Sequence, residues 1–250
     1  MAIKKNRARL VLGILGGMGP EATVRFFDLV VRSTAAGRDQ DHIPIIVWND
    51  PRVPDRTAAV LGKGKSPIPL LRAGAAALVK AGADILVIPC ITAHYFFPGI
   101  AAGQRSKFLN LLDETRTHIR KRLPRVRKIG VLATTGTIRS GIIEGTFGRV
   151  GVEIIVPDEK DQRKVMDAIY GRRGIKAGGP RDFSHKILAG VARRLVRRGA
   201  GAILAGCTEI PLVLGGKDLP VPLIDPMAVG AQACVKRAGF APRTNVRRKG

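Results

Sequence analysis

The chain has 250 residues, 43 of them Lys or Arg against 19 Asp or Glu, for a formal net charge of +24, with 45% hydrophobic and 4% aromatic content. That length can bury a sizeable core as one domain or as two, and no run of about 18 apolar residues suggests a membrane span. Three cysteines in so long a chain are not a disulfide framework; they point to reduced thiols in a cytoplasm.

The excess of positive charge invites a polyanionic partner, but its distribution argues against a specific nucleic-acid site. Basic residues gather near both ends (4–9 and 243–249) and in stretches 120–128 and 193–198, without interleaved aromatics that could stack on bases. A solvated basic surface that attracts anions without sequence preference is the expectation.

Lys4, Lys5, Arg7 and Arg9 before the apolar run 10–15 imitate a secretory leader. Gly13 breaks that run, and GGMGPE follows in place of a small-residue cleavage site, so residues 10–15 read as a buried strand. The turn at 16–20 leads into a helix over 21–36, with Pro20 and Glu21 suited to its first turn. G-x-x-G-G-x-G is not a dinucleotide fingerprint, but backbone N–H groups at a helix start are a seat for a carboxylate. A strand over 43–48 runs into a polar, proline-bearing loop over 49–57, long enough to suggest function. A helix over 70–81 and a strand over 85–89 follow, with Cys90 where strand gives way to loop. Further strands are expected over 128–133, 152–156, 202–205 and 221–224, and helices over 138–150, 161–170, 183–198 and 226–238.

An internal repeat organises these elements. LVKAGADILVIPC at 78–90 matches LVRRGAGAILAGC at 195–207, an offset of 117 from Cys90 to Cys207, and the same shift carries the glycine turn at 13–19 onto 130–136. Two matches at one offset, each at the end of an apolar run, indicate duplication. The expected fold class is α/β: two pseudo-symmetric Rossmann-like domains with parallel sheets and an active site in the cleft between them. Residues 1–107 with 222–250 would form the first domain and 108–221 the second. Cys90 and Cys207 would then line opposite walls, which suits inversion of a stereocentre: one thiolate removes a proton from one face while a thiol delivers one to the other. Helix N-termini after both cysteines would favour thiolates. The same region could be assembled as a zinc site from Cys90, His94, Cys207 and Glu209, but no close cysteine pair supports it and no metal is expected. Cys234, inside a helix, reads as a small core residue.

GGMGPEAT at 16–23, PDRTA at 54–58, PCITAH at 89–94, LATTGT at 132–137 and GCTEIPL at 206–212 together resemble the aspartate/glutamate racemase superfamily, closest to its aspartate racemase branch. Further family-like pieces are PDE at 157–159 with Gln162, AIY at 168–170 and IKAG at 175–178. The resemblance implies cofactor-independent racemisation of an amino acid, aspartate first and glutamate or a broader range behind it, by a cytoplasmic homodimer with catalytic cysteines at Cys90 and Cys207. It carries Arg56 and Lys176 over as cationic contacts to substrate carboxylates. Thr92, Thr134 and Thr208 become hydroxyl contacts, Met18 and Gly19 the pocket turn, and His94 and Glu209 supporting residues around the cysteines. Hydantoin racemase and maleate isomerase chemistry, or a catalytically silent basic binding protein, are the alternatives. One position departs from the pattern: the family usually has Asn after the first cysteine, and here it is Ile91. A lost buried contact there costs on the order of 1–3 kcal/mol, so either the substrate differs or activity is lowered.

Overall fold

A computed structural model describes residues 9–243. Strands β1 (Leu12–Gly16), β2 (Ile45–Asn49), β3 (Ile85–Val87) and β4 (Phe108–Leu109) form one sheet in the order β2-β1-β3-β4. Strands β5 (Lys128–Leu132), β6 (Glu153–Ile155), β7 (Ala202–Ala205) and β8 (Leu223–Ile224) form a second in the order β6-β5-β7-β8. Every pairing within them is parallel. Between the strands run α1 (Pro20–Ser33), α2 (Arg56–Val60), α3 (Ile68–Lys80), α4 (Phe97–Ile100), α5 (Leu111–Arg122), α6 (Thr135–Arg139), α7 (Ile142–Phe147), α8 (Glu159–Tyr170), α9 (Arg181–Arg197) and α10 (Pro226–Arg237). Among the described residues no helix is long and apolar enough to cross a membrane.

The two halves repeat down to strand register. Leu12 lies opposite Ile85 and Gly13 opposite Leu86 in the first sheet; Ile129 lies opposite Ala202 and Gly130 opposite Ile203 in the second. Each pair is the other shifted by the offset already seen. The two glycines are constrained alike. A Cβ on Gly13 would lie 2.8 Å from Ala83 Cβ, 2.8 Å from Leu86 Cδ2 and 3.4 Å from Leu78 Cβ. On Gly130 it would meet the equivalents: Ala200 Cβ at 3.2 Å, Ile203 Cδ1 at 2.7 Å and Leu195 Cβ at 2.9 Å. Such approaches are closer than a packed interior tolerates, so helix and strand can touch there only if the residue is glycine.

Buried parallel strands need cover on both faces, and their side chains alternate to supply it. Leu12, Ile14 and Val87 share an apolar cluster with Ile129, Val131 and Leu204, so one face of each sheet contributes to a common core. Leu15, Leu71, Leu78 and Leu86 pack on the other side of the first sheet, and Leu132, Val165, Leu188 and Ile203 on the other side of the second. Helix α10 packs against α1 and α5, and Leu10 N–H reaches Ala238 O at 3.2 Å, so the C-terminal helix returns to the first half.

Several boundaries differ from expectation. Strand β4 pairs in the first sheet and β8 in the second, so both chain crossings come later than the division at 107/108 and 221/222. Two-residue strands carry no periodicity, and only pairing reveals them. The helix expected over 138–150 is broken into α6, α7 and a 3₁₀ turn, because Gly141 takes φ 66° between them. Helix α5 was not anticipated, although Asn110 caps it through Leu112 and Asp113 N–H groups, with Asp113 and Glu114 in its first turn and Arg120, Lys121 and Arg122 in its last.

Candidate active site

Cys90 and Cys207 stand just past β3 and β7, at equivalent places in the two sheets, and both are nearly buried. They border the same narrow cavity, whose free volume of about 10 Å³ is roughly that of one water-sized probe. Met18, Arg56, Thr92, Thr134, Tyr170, Lys176, Thr208 and Glu209 line the same cavity. The expected helix N-termini behind the cysteines are short 3₁₀ turns, Thr92–Phe96 and Ile210–Leu212. A single turn aligns too few peptide dipoles to stabilise a thiolate appreciably, and the local charges decide instead.

Those charges are opposite at the two thiols. Arg56, 8% exposed at the start of α2, donates through Nη1 to Val53 O at 3.1 Å and Pro54 O at 3.0 Å, and through Nη2 to Met18 O at 3.2 Å. Its Nε is buried with no partner among the described residues. Burial works against its charge, but Cys90, Tyr170 and Asp55 outweigh burial and hold Arg56 firmly protonated. Cys207 instead donates its thiol proton to Glu209 Oε2 at 2.9 Å. Burial and then the Glu209 carboxylate push the Cys207 thiol well above its ordinary value, and Lys176 opposes them only in part, so this side favours the protonated thiol.

Glu209 holds several of these groups together. Its Oε1 accepts from Lys176 Nζ and from Gly19 N–H at 3.1 Å, and Thr208 Oγ1 donates to Oε2 at 3.2 Å. Burial acts to raise its pKa, but Lys176, Cys207 and the Gly19 N–H together hold it below the usual carboxylate range. Lys176 is likewise kept protonated: burial opposes its charge, and Glu209 and Cys207 offset it. Gly19 is the N-cap of α1, so the carboxylate seat expected at that turn is filled by the protein's own Glu209.

The threonines are tied across the halves. Thr57 donates to Thr134 Oγ1 at 3.1 Å, Thr92 and Thr137 hydroxyls lie 2.7 Å apart, and Thr134 also caps α6 through Thr137 N–H at 3.2 Å. Gly136 permits this approach, since a Cβ there would sit 2.7 Å from Thr57 Cα. Tyr170 spans the same boundary, donating to Asp55 Oδ2 at 2.9 Å while Lys176 Nζ lies 5.6 Å from its ring centroid. Thr57, Thr137 and Tyr170 had no assigned role in the sequence. The PDRTA, LATTGT and AIY motifs contain them, and only the fold joins them.

His94 and Ile91 flank Cys90 in different ways. His94 does not border the cavity: Leu111 N–H donates to its Nε2 at 3.2 Å, which leaves Nδ1 as the protonated nitrogen, donating to Cys90 O at 2.8 Å. It positions the Cys90 carbonyl and has no free lone pair for a metal. Among the described residues no three His, Cys, Asp or Glu side chains gather in a metal-ligating group. Ile91 borders the cavity, yet it is 1% exposed and belongs to the apolar cluster with Phe26 and Leu111.

The Asp/Glu/Hydantoin racemase family model matches residues 15–234. The chain belongs to that family. This racemase, an isomerase by that membership, is 29% identical over 235 residues to the broad specificity amino-acid racemase RacX of Bacillus subtilis, covering 90% of this chain and 96% of that protein. The aspartate racemase of Picrophilus torridus superposes with a TM-score of 0.83 at 31% identity, covering 94% of this chain and 96% of that one. The glutamate racemase of Francisella tularensis, in complex with D-glutamate, shares the fold at a TM-score of 0.64 and 15% identity, over 95% of this chain and 84% of that one.

Proposed function

We propose that this racemase interconverts the L- and D-forms of an amino acid without a cofactor, using Cys90 and Cys207 as the two bases on opposite faces of Cα. The observation that carries the reading is that both thiols border one cavity, with a cation beside Cys90 and a carboxylate holding the proton of Cys207. In one direction the Cys90 thiolate takes the α-proton, and the Cys207 thiol gives its own to the other face. The reverse direction exchanges the roles. When Cys207 has given up its proton, two anions stand side by side at Cys207 and Glu209, and Lys176 supplies the compensating charge. Arg56 receives the substrate carboxylate through its unpartnered Nε, and the hydroxyls of Thr92, Thr134 and Thr208, with the Met18–Gly19 turn, complete the polar wall. Both thiols are nearly buried, so little water intervenes and each of these contacts is strengthened.

Aspartate leads on the resemblance and on the Picrophilus torridus relative, with glutamate or a broader range behind it, as the name of the Bacillus subtilis relative suggests. A homodimer is the assembly the resemblance implies, and light scattering tests it. The test of the reaction is incubation of single enantiomers in D₂O without added cofactor. Deuterium at Cα together with inversion supports the reading, and no α-exchange on any amino acid refutes it.

A further inference from the structure

The duplicated sheets differ at one matching place, their edges. Strands β2 and β6 hold equivalent edge positions, next to β1 and β5. Strand β6 spans three residues and carries exposed Glu153, ion-paired with Lys128 at 2.9 Å; a short, charged edge resists pairing with another chain. Strand β2 spans five residues, reads IIVWN and has no charge, and Val47 is 42% and Trp48 39% exposed. Helices α1 and α3, packed on the two faces of that sheet, add exposed Val24, Phe27 and Leu70. Among the described residues, Tyr95 and Tyr170 are the only other large apolar side chains so exposed.

Charge indicates what covers this edge. With 43 basic residues against 19 acidic ones, two copies of the chain repel over most of their surface. Around β2 the charges are matched locally. Asp28 pairs with Arg32 at 2.7 Å on α1, Asp41 with Arg38 at 3.3 Å before the strand, and Asp50 with Arg52 at 2.9 Å after it. The backbone suits a second copy as well. Leu12 lies opposite Ile45 and its N–H donates to Pro44 O at 2.9 Å, so Pro44, Ile46 and Trp48 turn their backbone groups to β1. Those of Ile45, Val47 and Asn49 then face the open edge, and among the described residues no strand pairs with them. A twofold axis at Val47 sets Ile45 of one copy against Asn49 of the other and Val47 against its own counterpart, each pair exchanging both hydrogen bonds. It also sets Ile46 against Trp48, an apolar cross-strand pair, and brings Arg52 towards the acidic turn Asp39–Asp41 of the other copy.

We propose that two copies of this racemase join through antiparallel pairing of their β2 edges, which merges their two four-stranded sheets into one. The proposal gives an interface to the homodimer implied by the resemblance and does not depend on the reaction. Trp48 is the chain's one tryptophan, so its emission reports the contact. Light scattering and Trp48 fluorescence are followed together on dilution of the unmodified protein, of Val47→Lys and of Val47→Glu. Trp48 emission should move to the red as the dimer dissociates. Either substitution sets like charges face to face at the axis and should raise the dissociation constant by about tenfold or more. An equimolar mixture of the two variants should restore the dimer, because opposite charges then meet there. Unmodified protein that is monomeric at every concentration overturns the proposal and the homodimer together, and leaves the racemase reading intact. A dimer that survives in folded Val47→Lys, emission that is the same in dimer and monomer, or no restoration on mixing overturns the proposal alone. If the variants do not fold, amide exchange at Val47 in the unmodified dimer decides: protection supports the pairing, and free exchange overturns it.

Discussion

Lowering the pH should destabilise this protein through His94, by an amount that the structure sets. The ring is 3% exposed, stacked on Phe97 with centroids 5.8 Å apart, and committed at both nitrogens. A second proton would have to go on Nε2, where Leu111 N–H already donates, so two donors would face each other in a dry interior. Burial, opposed only in part by the Cys90 carbonyl, lowers the pKa from 6.5 to about 4. Above pH 6.5 neither folded nor unfolded His94 is charged and the linkage is silent. Between 6.5 and 4 the unfolded chain binds a proton that the folded one refuses, so stability falls as the pH falls. The full window corresponds to about 3 kcal/mol and the part down to pH 5 to about 2 kcal/mol. Urea unfolding at pH 7.5, 6 and 5 measures it. His118 is also lowered, by partial burial and by Arg122, and adds a slope of the same sign, so the comparison is with His94→Asn, whose stability should fall less steeply with pH. An imidazole assigned to His94 that titrates near pH 6.5 in folded protein by NMR, or an equal slope in His94→Asn, would refute the reasoning.

Cys90→Ala and Cys207→Ala should each abolish racemisation, while one or the other still exchanges the α-proton of a single enantiomer, because abstraction alone needs one thiolate. Full racemase activity in either variant rules out the two-thiol mechanism. Ile91→Asn puts an amide into an apolar cluster and should cost about 1–3 kcal/mol in denaturant titration without raising turnover of aspartate. A ten- to hundredfold rise on an acidic substrate would instead show that a donor is missing there. Gly13→Ala and Gly130→Ala should destabilise by about 1–3 kcal/mol each, and by similar amounts, since each new methyl meets equivalent neighbours. A neutral result at either position in thermal unfolding would contradict the repeated packing.

Much of the framework was legible in the chain. The 117-residue offset located β1 with β5 and β3 with β7, because a duplicated buried strand keeps its apolar run and its glycine contacts. The cysteine at the end of each run was marked by the repeat, since parallel strands deliver their C-terminal ends to one place, whereas Arg56 and Lys176 were marked only by the motifs of the resemblance. Strand β4 escaped because two residues have no period, and α5 because its cap and its terminal charges, not an apolar stripe, mark it. The sequence alone could not tell the two thiols apart. Glu209 is only two residues from Cys207, but burial and the groups that keep Glu209 charged come from tertiary packing: Gly19 lies 190 residues from the Glu209 that it binds, and Lys176 lies 33 residues from it. A thiol's proton depends on burial and on charges within a few ångströms, and those distances exist only once the two halves have closed on each other.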